Sequence, residues 1–504
     1  MYDSCPQPTP TQPNPHQPNP PDTMRFHALA ISFLLILPAT VCAQKDNAIK
    51  SAAIHADANW PTALKLWEWA EPGYQEKQSA EALAAIAEKA GFTVKKGVAG
   101  IPTAFTAEFG KGKPTIGILG EFDALPELSQ EAVPFRKPRE GGNGYGHACG
   151  HHLFGVASLS AALAIGEQIK AGKIRGTIRF YMCPAEEGGS AKVFMARAGL
   201  FDDCDTVLHW HPGSQNLAGD ATCLARIAAK FRYYGIPSHA SGAPEKGRSA
   251  LEGLILAMHG VELLRQHTPD GTRLHHTITS GGGAPNVVPE FAEGFFYVRH
   301  PKAEIVKQLY PRLLKCAQAG ALATETKLEV VYLGGTMEIL PNNALAQVAK
   351  RNLTRLNDLK YDAGELAFAL RIQETFPEKV SLDDIATVFD SSGKSSGGST
   401  DVGDVSWIVP VTGFSTACWV PGTPGHSWQA VACGGTTIGK KGMNLAARTL
   451  AATAWDLFTD PQLIKDAKLE QAKRLDGRKY EAMLEKDQPP PLDYRNPPKQ
   501  AKRE

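Results

Sequence analysis

Apolar and polar positions follow two different periods along the chain. From residue 60 to residue 90 the apolar side chains recur at helical spacing, and the Glu71-Pro72-Gly73 break separates two helices. Short apolar runs, each followed by turn or polar residues, come next at 115–119, 177–183, 206–210 and 411–420. Because such runs alternate with helical segments, they predict an α/β fold with a mostly parallel sheet and helices on both faces.

The pattern changes between residues 224 and 334, where the order is strand, helix, strand, strand, helix, strand. This order is typical of a ferredoxin-like α+β unit, which would be inserted in the sheet domain. At 504 residues the chain is also too long for one core, since single cores stop growing near about 250 to 300 residues. We therefore expect a catalytic domain in two parts, 44–223 and 335–485, around an inserted domain at 224–334.

Both ends of the chain differ from the rest. Residues 1–23 form a polar, proline-rich extension, and residues 24–43 resemble a signal peptide that starts at Met24, with Arg25, an apolar run at 28–37 and small residues before Gln44. The apolar run is shorter than the ~20 residues needed to span a bilayer, which disfavours an uncleaved membrane anchor. These features predict a periplasmic or secreted protein without a membrane contact after cleavage. Residues 486–504 are rich in proline and charge, and we expect a flexible tail.

Composition narrows the class of protein. With 43% hydrophobic and 21% charged residues, neither a disordered chain nor a polytopic membrane protein fits the sequence. The formal net charge of +1 leaves no excess of basic groups to neutralise a phosphate backbone, so no nucleic-acid partner is expected. The nine cysteines include no CxxC pair, which argues against a thioredoxin-like redox motif and a cysteine-rich structural zinc site.

Four segments place metal-ligand residue types just after an apolar run or in a glycine-rich turn. In open α/β sheets, ligands bind outside the carboxyl ends of the strands, so one crevice can collect side chains from several such segments. The segments are GHACGHH at 146–152, PAEEGG at 184–189, HWHP at 209–212 and GH at 425–426.

Cys149 and His151 are two residues apart, and Gly150 between them indicates a turn that can aim both side chains inward. A thiolate and an imidazole together suit zinc, while the carboxylate of Glu187 also accommodates manganese. The alternative for Cys149 is a buried, inert thiol beside surface histidines.

Adjacent carboxylates can divide two tasks. Glu186 and Glu187 follow an apolar strand, and neighbouring side chains there point in different directions, so one can bind a metal while the other faces the substrate. The alternative interpretation is that Glu186 and Glu187 belong to a solvated turn. Asp123, which follows the strand ending near residue 119, is placed to orient a ligating histidine. His209 and His211 face the same side of a strand, and spacing alone leaves open which of them binds metal.

Several ordered motifs then resemble a known family, the two-metal aminoacylase and carboxypeptidase-type amidohydrolases, especially the branch that contains the B component of aminobenzoyl-glutamate hydrolase. The likeness covers nearly all of the chain after the signal peptide. Besides the four segments above, it rests on EFDALPELSQ at 121–130, GIPSHASGAPEKGRSAL at 235–251, SGGGAPNVVPE at 280–290, GGSTDVGDVSW at 397–407 and GTPGHSWQ at 422–429.

The resemblance implies a role for individual residues. Two divalent ions, zinc or manganese, would be held by Cys149, His151, Glu187, His211 and His426, and Glu186 would be the general base. His211 is preferred to His209 because its distance from Asp205 and its following proline match the family pattern. His239 in the inserted lid and dimerisation domain would stabilise the oxyanion, often in a neighbouring subunit, which implies a homodimer. We expect Asn286 and Arg299 to bind the substrate carboxylate.

The function implied is hydrolysis of the amide bond in small carboxylate-bearing N-acyl amino acids such as p-aminobenzoyl-glutamate. Two alternatives stay open: a dipeptidase or aminoacylase of other specificity, and a noncatalytic carboxylate-binding subunit. A related partner subunit is a further possibility in addition to the homodimer.

Overall fold

The computed structural model describes residues 28–496, with side chains from residue 43 onward. The chain divides into a short unit, Met1–Lys45, and a large unit, Asp46–Glu504. The predicted extension at 1–23 lies outside the described residues. So does the predicted signal peptide at 24–43, except for the backbone of a helix that begins at Ala28 and the side chain of residue 43.

Strands and helices alternate through most of the large unit. The strands among the described residues are β1 (Thr93–Lys96), β2 (Phe105–Lys111), β3 (Thr115–Gly120), β4 (Gly176–Met182), β5 (Thr206–Leu208), β6 (His211–Gly213), β7 (Asn216–Ala218), β8 (Ala225–Tyr234), β9 (Arg273–Ser280), β10 (Phe291–His300), β11 (Lys327–Thr336), β12 (Val388–Asp390), β13 (Val411–Thr412) and β14 (Phe414–Ala417). The α-helices among them are α1 (Ala28–Trp69), α2 (Lys77–Lys89), α3 (His151–Lys170), α4 (Ala191–Arg197), α5 (Ala250–Arg265), α6 (Ala303–Thr324), α7 (Asn343–Leu356), α8 (Ala363–Gln373), α9 (Val402–Ser406), α10 (Trp428–Gly434), α11 (Thr437–Thr459) and α12 (Pro461–Leu475).

The central sheet has six strands in the order β1-β2-β4-β3-β5-β13. The pairings of β4 with β3, β3 with β5 and β5 with β13 are parallel, while β1 and β2 extend the edge in antiparallel fashion. A short connection joins β1 to β2, and a short connection can only join antiparallel neighbours. The expected mostly parallel sheet is therefore confirmed, with an antiparallel edge that the apolar pattern did not predict.

Both faces of this sheet are buried. Ile116, Ile118 and Phe180 belong to the large core that includes α3 and α11, whereas Leu119 and Tyr181 pack on the opposite side with residues of α4 and α9. Alternate residues of one strand thus serve two cores, as the apolar runs predicted. Helix α3 is the one helix in the described part of the chain that is long and apolar enough to cross a membrane, but 83% of its apolar window is buried in the fold.

Strands β8 to β11 form a separate antiparallel sheet in the order β11-β8-β10-β9. Helices α5 and α6 pack on one face of it, over buried side chains such as Phe231 and Phe296. This sequence of elements and this strand order are those of a ferredoxin-like unit, which confirms the predicted inserted α+β fold. The opposite face of the sheet, hereafter the open face, carries polar side chains.

The end of the chain packs more closely than the sequence suggested. Tyr494 is buried, its ring meets that of Tyr74 edge to face with centroids 5.8 Å apart, and the tail is described as far as residue 496. Part of the segment that we expected to be flexible is therefore held in place, because one aromatic ring fills a gap beside Gly73 and Gly188. Residues 497–504 lie outside the described residues.

Candidate active site

The loop that carries Cys149 approaches the strand that carries His211 very closely. Gly150 between Cys149 and His151 has φ +74, and a Cβ atom there would lie 2.7 Å from Cβ of Pro212. Glycine adopts this conformation without strain, and its missing side chain leaves the space that Pro212 fills. The predicted turn is thus present, and it brings the start of α3 against β6.

Cys149, His151 and His211 form a first group of donors, whose ligand atoms all lie within 4.8 Å of one another. Sγ of Cys149 is 3.3 Å from Nε2 of His211. Burial alone would raise the pKa of the Cys149 thiol, but the neighbouring His211 and His151 outweigh burial, and the pKa falls to about 6. The thiolate, which is the form that binds metal, is therefore favoured.

Cys149 also belongs to a second group, with Glu187 and His426, again within 4.8 Å. Nε2 of His426 lies 3.2 Å from Oε1 of Glu187, and the His426 backbone N–H donates to the carbonyl of Ala148 at 3.1 Å. Burial would raise the pKa of Glu187, but its contact with His426 lowers the pKa to about 2. Because Cys149 is common to both groups, the two donor sets adjoin at one sulfur atom.

Glu186 faces a third group, with Glu121 and His151. Burial and then the negative charges of Glu121 and Glu187 raise the pKa of Glu186 well above its ordinary value. A carboxylate whose affinity for a proton is raised in this way is suited to accept one during a reaction. The structure therefore places the predicted base beside, and not within, the two donor groups that share Cys149.

The side chain of Asp123 connects the segments that carry His151 and Glu187. Its Oδ1 lies 2.9 Å from Nδ1 of His151, and its Oδ2 accepts the backbone N–H of Glu187 at 2.9 Å. This contact leaves Nε2 of His151 free for a metal ion, and the predicted role of Asp123 in orienting His151 stays a prediction.

The donor set fits two divalent ions. Among the described residues, Nε2 of His151 and Oε1 of Glu187 are buried without a well-formed hydrogen bond. Buried polar atoms are nearly always satisfied, so unsatisfied atoms within a thiolate, imidazole and carboxylate cluster indicate missing metal ligation.

The two histidines between which strand spacing alone did not decide lie in different surroundings. His211 lies against Cys149, whereas the His209 ring packs over Gly413, where an added Cβ would lie 2.2 Å from its Nε2. Burial lowers the pKa of His209 to about 4. His209 is therefore better described as a neutral, buried imidazole than as a metal ligand.

Sequence reasoning missed a buried ion network beneath the site. Nζ of Lys192 lies 2.6 Å from both Oε1 of Glu121 and Oδ1 of Asp401. Oε2 of Glu121 in turn lies 3.1 Å from Nε2 of His151. Asp401 stands in the GGSTDVGDVSW motif, but no local pattern marks Lys192, which reaches the site only through the packing of α4.

The donor groups open into a cavity of about 860 Å³. Its lining includes Glu186, Glu187 and the predicted carboxylate ligand Arg299. His239 and Asn286 are not part of this lining; both are exposed on adjoining loops of the inserted domain, where the Ala240 N–H donates to the Asn286 carbonyl. The structure thus brings Arg299, but neither His239 nor Asn286, to the site of its own chain.

A sheet that carries such donors at its carboxyl end, with a ferredoxin-like insertion, has the architecture of a metal-dependent hydrolase. The model of peptidase family M20/M25/M40 matches residues 117–363. The chain is also 39% identical over 467 residues to the B component of p-aminobenzoyl-glutamate hydrolase from Escherichia coli (strain K12), covering 87% of this chain and 97% of that protein. The chain therefore belongs to peptidase family M20/M25/M40, and the predicted family is confirmed.

Two further comparisons agree with this assignment. Xaa-Arg dipeptidase of Mus musculus is 28% identical over 383 residues, which cover 74% of this chain and 78% of that protein. A dinuclear metal-binding peptidase of the M20 family from Bacillus subtilis has the same fold, with a TM-score of 0.54 at 17% identity, covering 81% of this chain and 99% of that one. The protein is a metal-dependent amidohydrolase.

Proposed function

We propose that this protein hydrolyses the amide bond of small N-acyl amino acids such as p-aminobenzoyl-glutamate. The observation that carries the proposal is the sharing of Cys149 by two donor groups, with Glu186 beside them at the cavity. The likeness to the B component of p-aminobenzoyl-glutamate hydrolase, which extends over 97% of that protein, supports the choice of substrate.

Two divalent ions, zinc or manganese, would be held by Cys149, His151, Glu187, His211 and His426. When bound, such ions polarise a carbonyl oxygen and acidify a water molecule. The mixture of sulfur, nitrogen and oxygen donors supports zinc, and the carboxylate also admits manganese.

The side chains then have distinct tasks. Glu186 takes a proton from the attacking water and delivers it to the leaving nitrogen, for which its raised pKa suits it. Arg299 binds a substrate carboxylate by a two-pronged contact. His239, with Asn286 beside it, completes the site from a second chain, where His239 stabilises the negative oxygen of the transition state.

The second chain would be another copy of this protein or a related subunit. Strand β9 is an edge of the inserted sheet, and several large apolar side chains nearby are exposed, among them Ile278 and Leu263. Unpaired edges and exposed apolar residues are typical of association surfaces. This supports a homodimer formed through the inserted domain. The Escherichia coli relative is named as one subunit of an enzyme. A hetero-oligomer is therefore the alternative to be tested against the homodimer.

Export to the periplasm or outside the cell is also part of the proposal. It rests on the sequence of residues 24–43, with Arg25 before a short apolar run. Mass spectrometry of the protein purified from its native host tests it, since cleavage after residue 43 gives a chain that begins at Gln44.

Metal analysis and one substitution test the function. We expect about two zinc or manganese ions per chain, and activity on p-aminobenzoyl-glutamate that chelation removes and metal restores. The substitution Glu186→Gln should lower kcat by at least about 100-fold and leave metal content intact. Glu187→Gln is the matched control, because it should lower metal content as well.

The result decides between the alternatives. Turnover of dipeptides in preference to p-aminobenzoyl-glutamate would replace the substrate with a peptide. Metal-loaded protein that binds the substrate but turns over neither compound would establish a noncatalytic subunit.

A further inference from the structure

Two arginines stand side by side on the open face of the inserted sheet. Arg226 on β8 pairs directly with Arg299 on β10, so both side chains leave the same face. Their guanidinium carbons lie 4.9 Å and 5.1 Å from the ring centroid of Tyr297. All three residues line the cavity together with Glu186 and Glu187.

Cations farther along the same face are neutralised. Nε of Arg232 lies 2.7 Å from Oε2 of Glu293, and Nζ of Lys230 lies 3.5 Å from the other oxygen of that carboxylate. Within the described residues, neither Arg226 nor Arg299 has a carboxylate within ion-pair distance. On strands β8 and β10 the cations of this face that lie farther from the cavity are therefore compensated, while the two that line the cavity are not.

The Nε donor of each arginine in the pair is also left unsatisfied among the described residues. One terminal nitrogen of Arg226 donates to Oγ of Ser190 at 2.8 Å, but Nε of Arg226 and Nε of Arg299 are buried without a hydrogen-bond partner among the described residues. Burial and the charge of Arg226 lower the pKa of Arg299. Two adjacent, desolvated cations with free donors cost stability unless an anion joins them.

The two glutamates that line the same cavity have other tasks. Glu186 and Glu187 act on Arg299 electrostatically, but in the proposed mechanism Glu186 moves a proton and Glu187 holds a metal ion. The anion that compensates the pair must therefore come with the substrate. A guanidinium binds a carboxylate through two parallel hydrogen bonds, and two guanidiniums fit two carboxylates.

We propose that Arg226 and Arg299 form a dicarboxylate-binding pair, so that the preferred substrates are N-acyl derivatives of acidic amino acids. Arg299 binds the α-carboxylate and Arg226 the side-chain carboxylate. This inference rests on the proposed function for its reaction, but the assignment of Arg226 concerns binding and is tested separately from turnover.

The test compares p-aminobenzoyl-glutamate with p-aminobenzoyl-glutamine, which differ by one charged group. The unmodified enzyme should prefer the glutamate compound in kcat/KM. In Arg226→Gln, kcat/KM for the glutamate compound should fall about 10- to 100-fold, and that for the glutamine compound should change less than about 3-fold. In Arg226→Lys, kcat/KM for the glutamate compound should lie between the values of the unmodified enzyme and of Arg226→Gln. Lysine keeps the positive charge but cannot form two parallel hydrogen bonds to a carboxylate.

Arg273→Gln is the matched control. Arg273 is an exposed arginine that pairs with the other side of Arg299 in the sheet register but does not line the cavity. The substitution Arg273→Gln removes the same charge from the same sheet, so the preference for the glutamate compound over the glutamine compound should be unchanged. An equal loss on both substrates in Arg226→Gln, or the same loss of preference in Arg273→Gln, would overturn the proposal.

A binding measurement separates this inference from the proposed reaction. Calorimetric titration of the metal-loaded protein with L-glutamate and with L-glutamine should show tighter binding of glutamate, and Arg226→Gln should remove most of the difference. If no amide is hydrolysed but this difference persists, the reaction is wrong and the dicarboxylate pair stands. If amides are hydrolysed and glutamate has no advantage, the reaction stands and the pair is wrong.

Discussion

The carboxylate of Asp123 lies 2.9 Å from Nδ1 of His151, and its second oxygen accepts the backbone N–H of Glu187. A single side chain thus fixes the ring orientation of one candidate ligand and the backbone position of another. These two ligands belong to different donor groups, so Asp123 sets the spacing between them.

The substitution Asp123→Asn should weaken metal binding about 10- to 100-fold. The amide has one oxygen where the carboxylate has two, so it cannot accept from both His151 and Glu187. Competition with a chromogenic chelator measures the affinity. Unaltered affinity together with lost activity would instead give Asp123 a direct role in the reaction.

Substitution of the two neighbouring histidines should have opposite outcomes. His211→Gln removes a donor next to Cys149, and we expect loss of at least one metal ion per chain. His209→Gln should retain both ions, since its ring packs over Gly413. Elemental analysis of both purified variants checks this, and loss of metal in His209→Gln alone would reverse the assignment.

The tail should stabilise the catalytic loop. The Tyr494 hydroxyl donates to the carbonyl of Glu187 at 3.0 Å, and Arg495 donates to the same oxygen. Tyr494→Ala should lower the free energy of unfolding by about 3 kcal/mol and weaken metal binding, because buried aromatic contacts are lost. Leu492→Ala, at an exposed position of the same segment, should change stability by less than about 0.5 kcal/mol.

Chemical denaturation and metal titration of both variants give the comparison. Equal effects of the two substitutions would show that the tail acts only as general packing. A stable Tyr494→Ala variant with unaltered metal affinity would show that the loop is ordered without the tail.

Much of the donor set could be predicted from sequence because its chemistry is local. Cys149 and His151 flank a glycine turn, and Glu186 and Glu187 follow a strand, so short motifs reveal both residue type and position. Arg226, Lys192 and Tyr494 could not be found in this way. Each reaches the site from a distant part of the chain, and such contacts depend on how strands and helices pack.

Two other features of the site could not be predicted from the sequence for different reasons. His239 and Asn286 lie outside the cavity of their own chain, so a single sequence folded alone gives them no partner to act on. Their roles remain predictions that depend on a second subunit. The spacing of a strand does not distinguish His209 from His211, and the preference for His211 came from the resemblance to the family.

Asp404 should make the protein less stable as the pH rises. It is buried, accepts from the Met337 N–H and the Tyr480 hydroxyl, and burial raises its pKa from 3.8 to about 8. Between these two values the unfolded chain releases the proton while the folded chain keeps it. The free energy of unfolding therefore falls over that window and is unaffected by this group outside it.

The variant Asp404→Asn removes this titration. Its free energy of unfolding, relative to that of the unmodified protein, should increase between about pH 5 and about pH 8. Urea denaturation at several pH values measures the difference. Parallel curves for the two proteins would contradict a raised pKa of Asp404 in the folded state.

The hydrogen bond from His426 to Ala148 has a consequence for how the enzyme acquires its ions. The five candidate ligands come from four separate segments, and His426 joins them only after nearly the whole chain has been synthesised and folded. An incomplete chain therefore lacks the full donor set. Ion uptake is then a late step of maturation, and ions that bind only the native state also stabilise it. The supply of metal in the compartment where the chain folds sets both the fraction of active molecules and their lifetime.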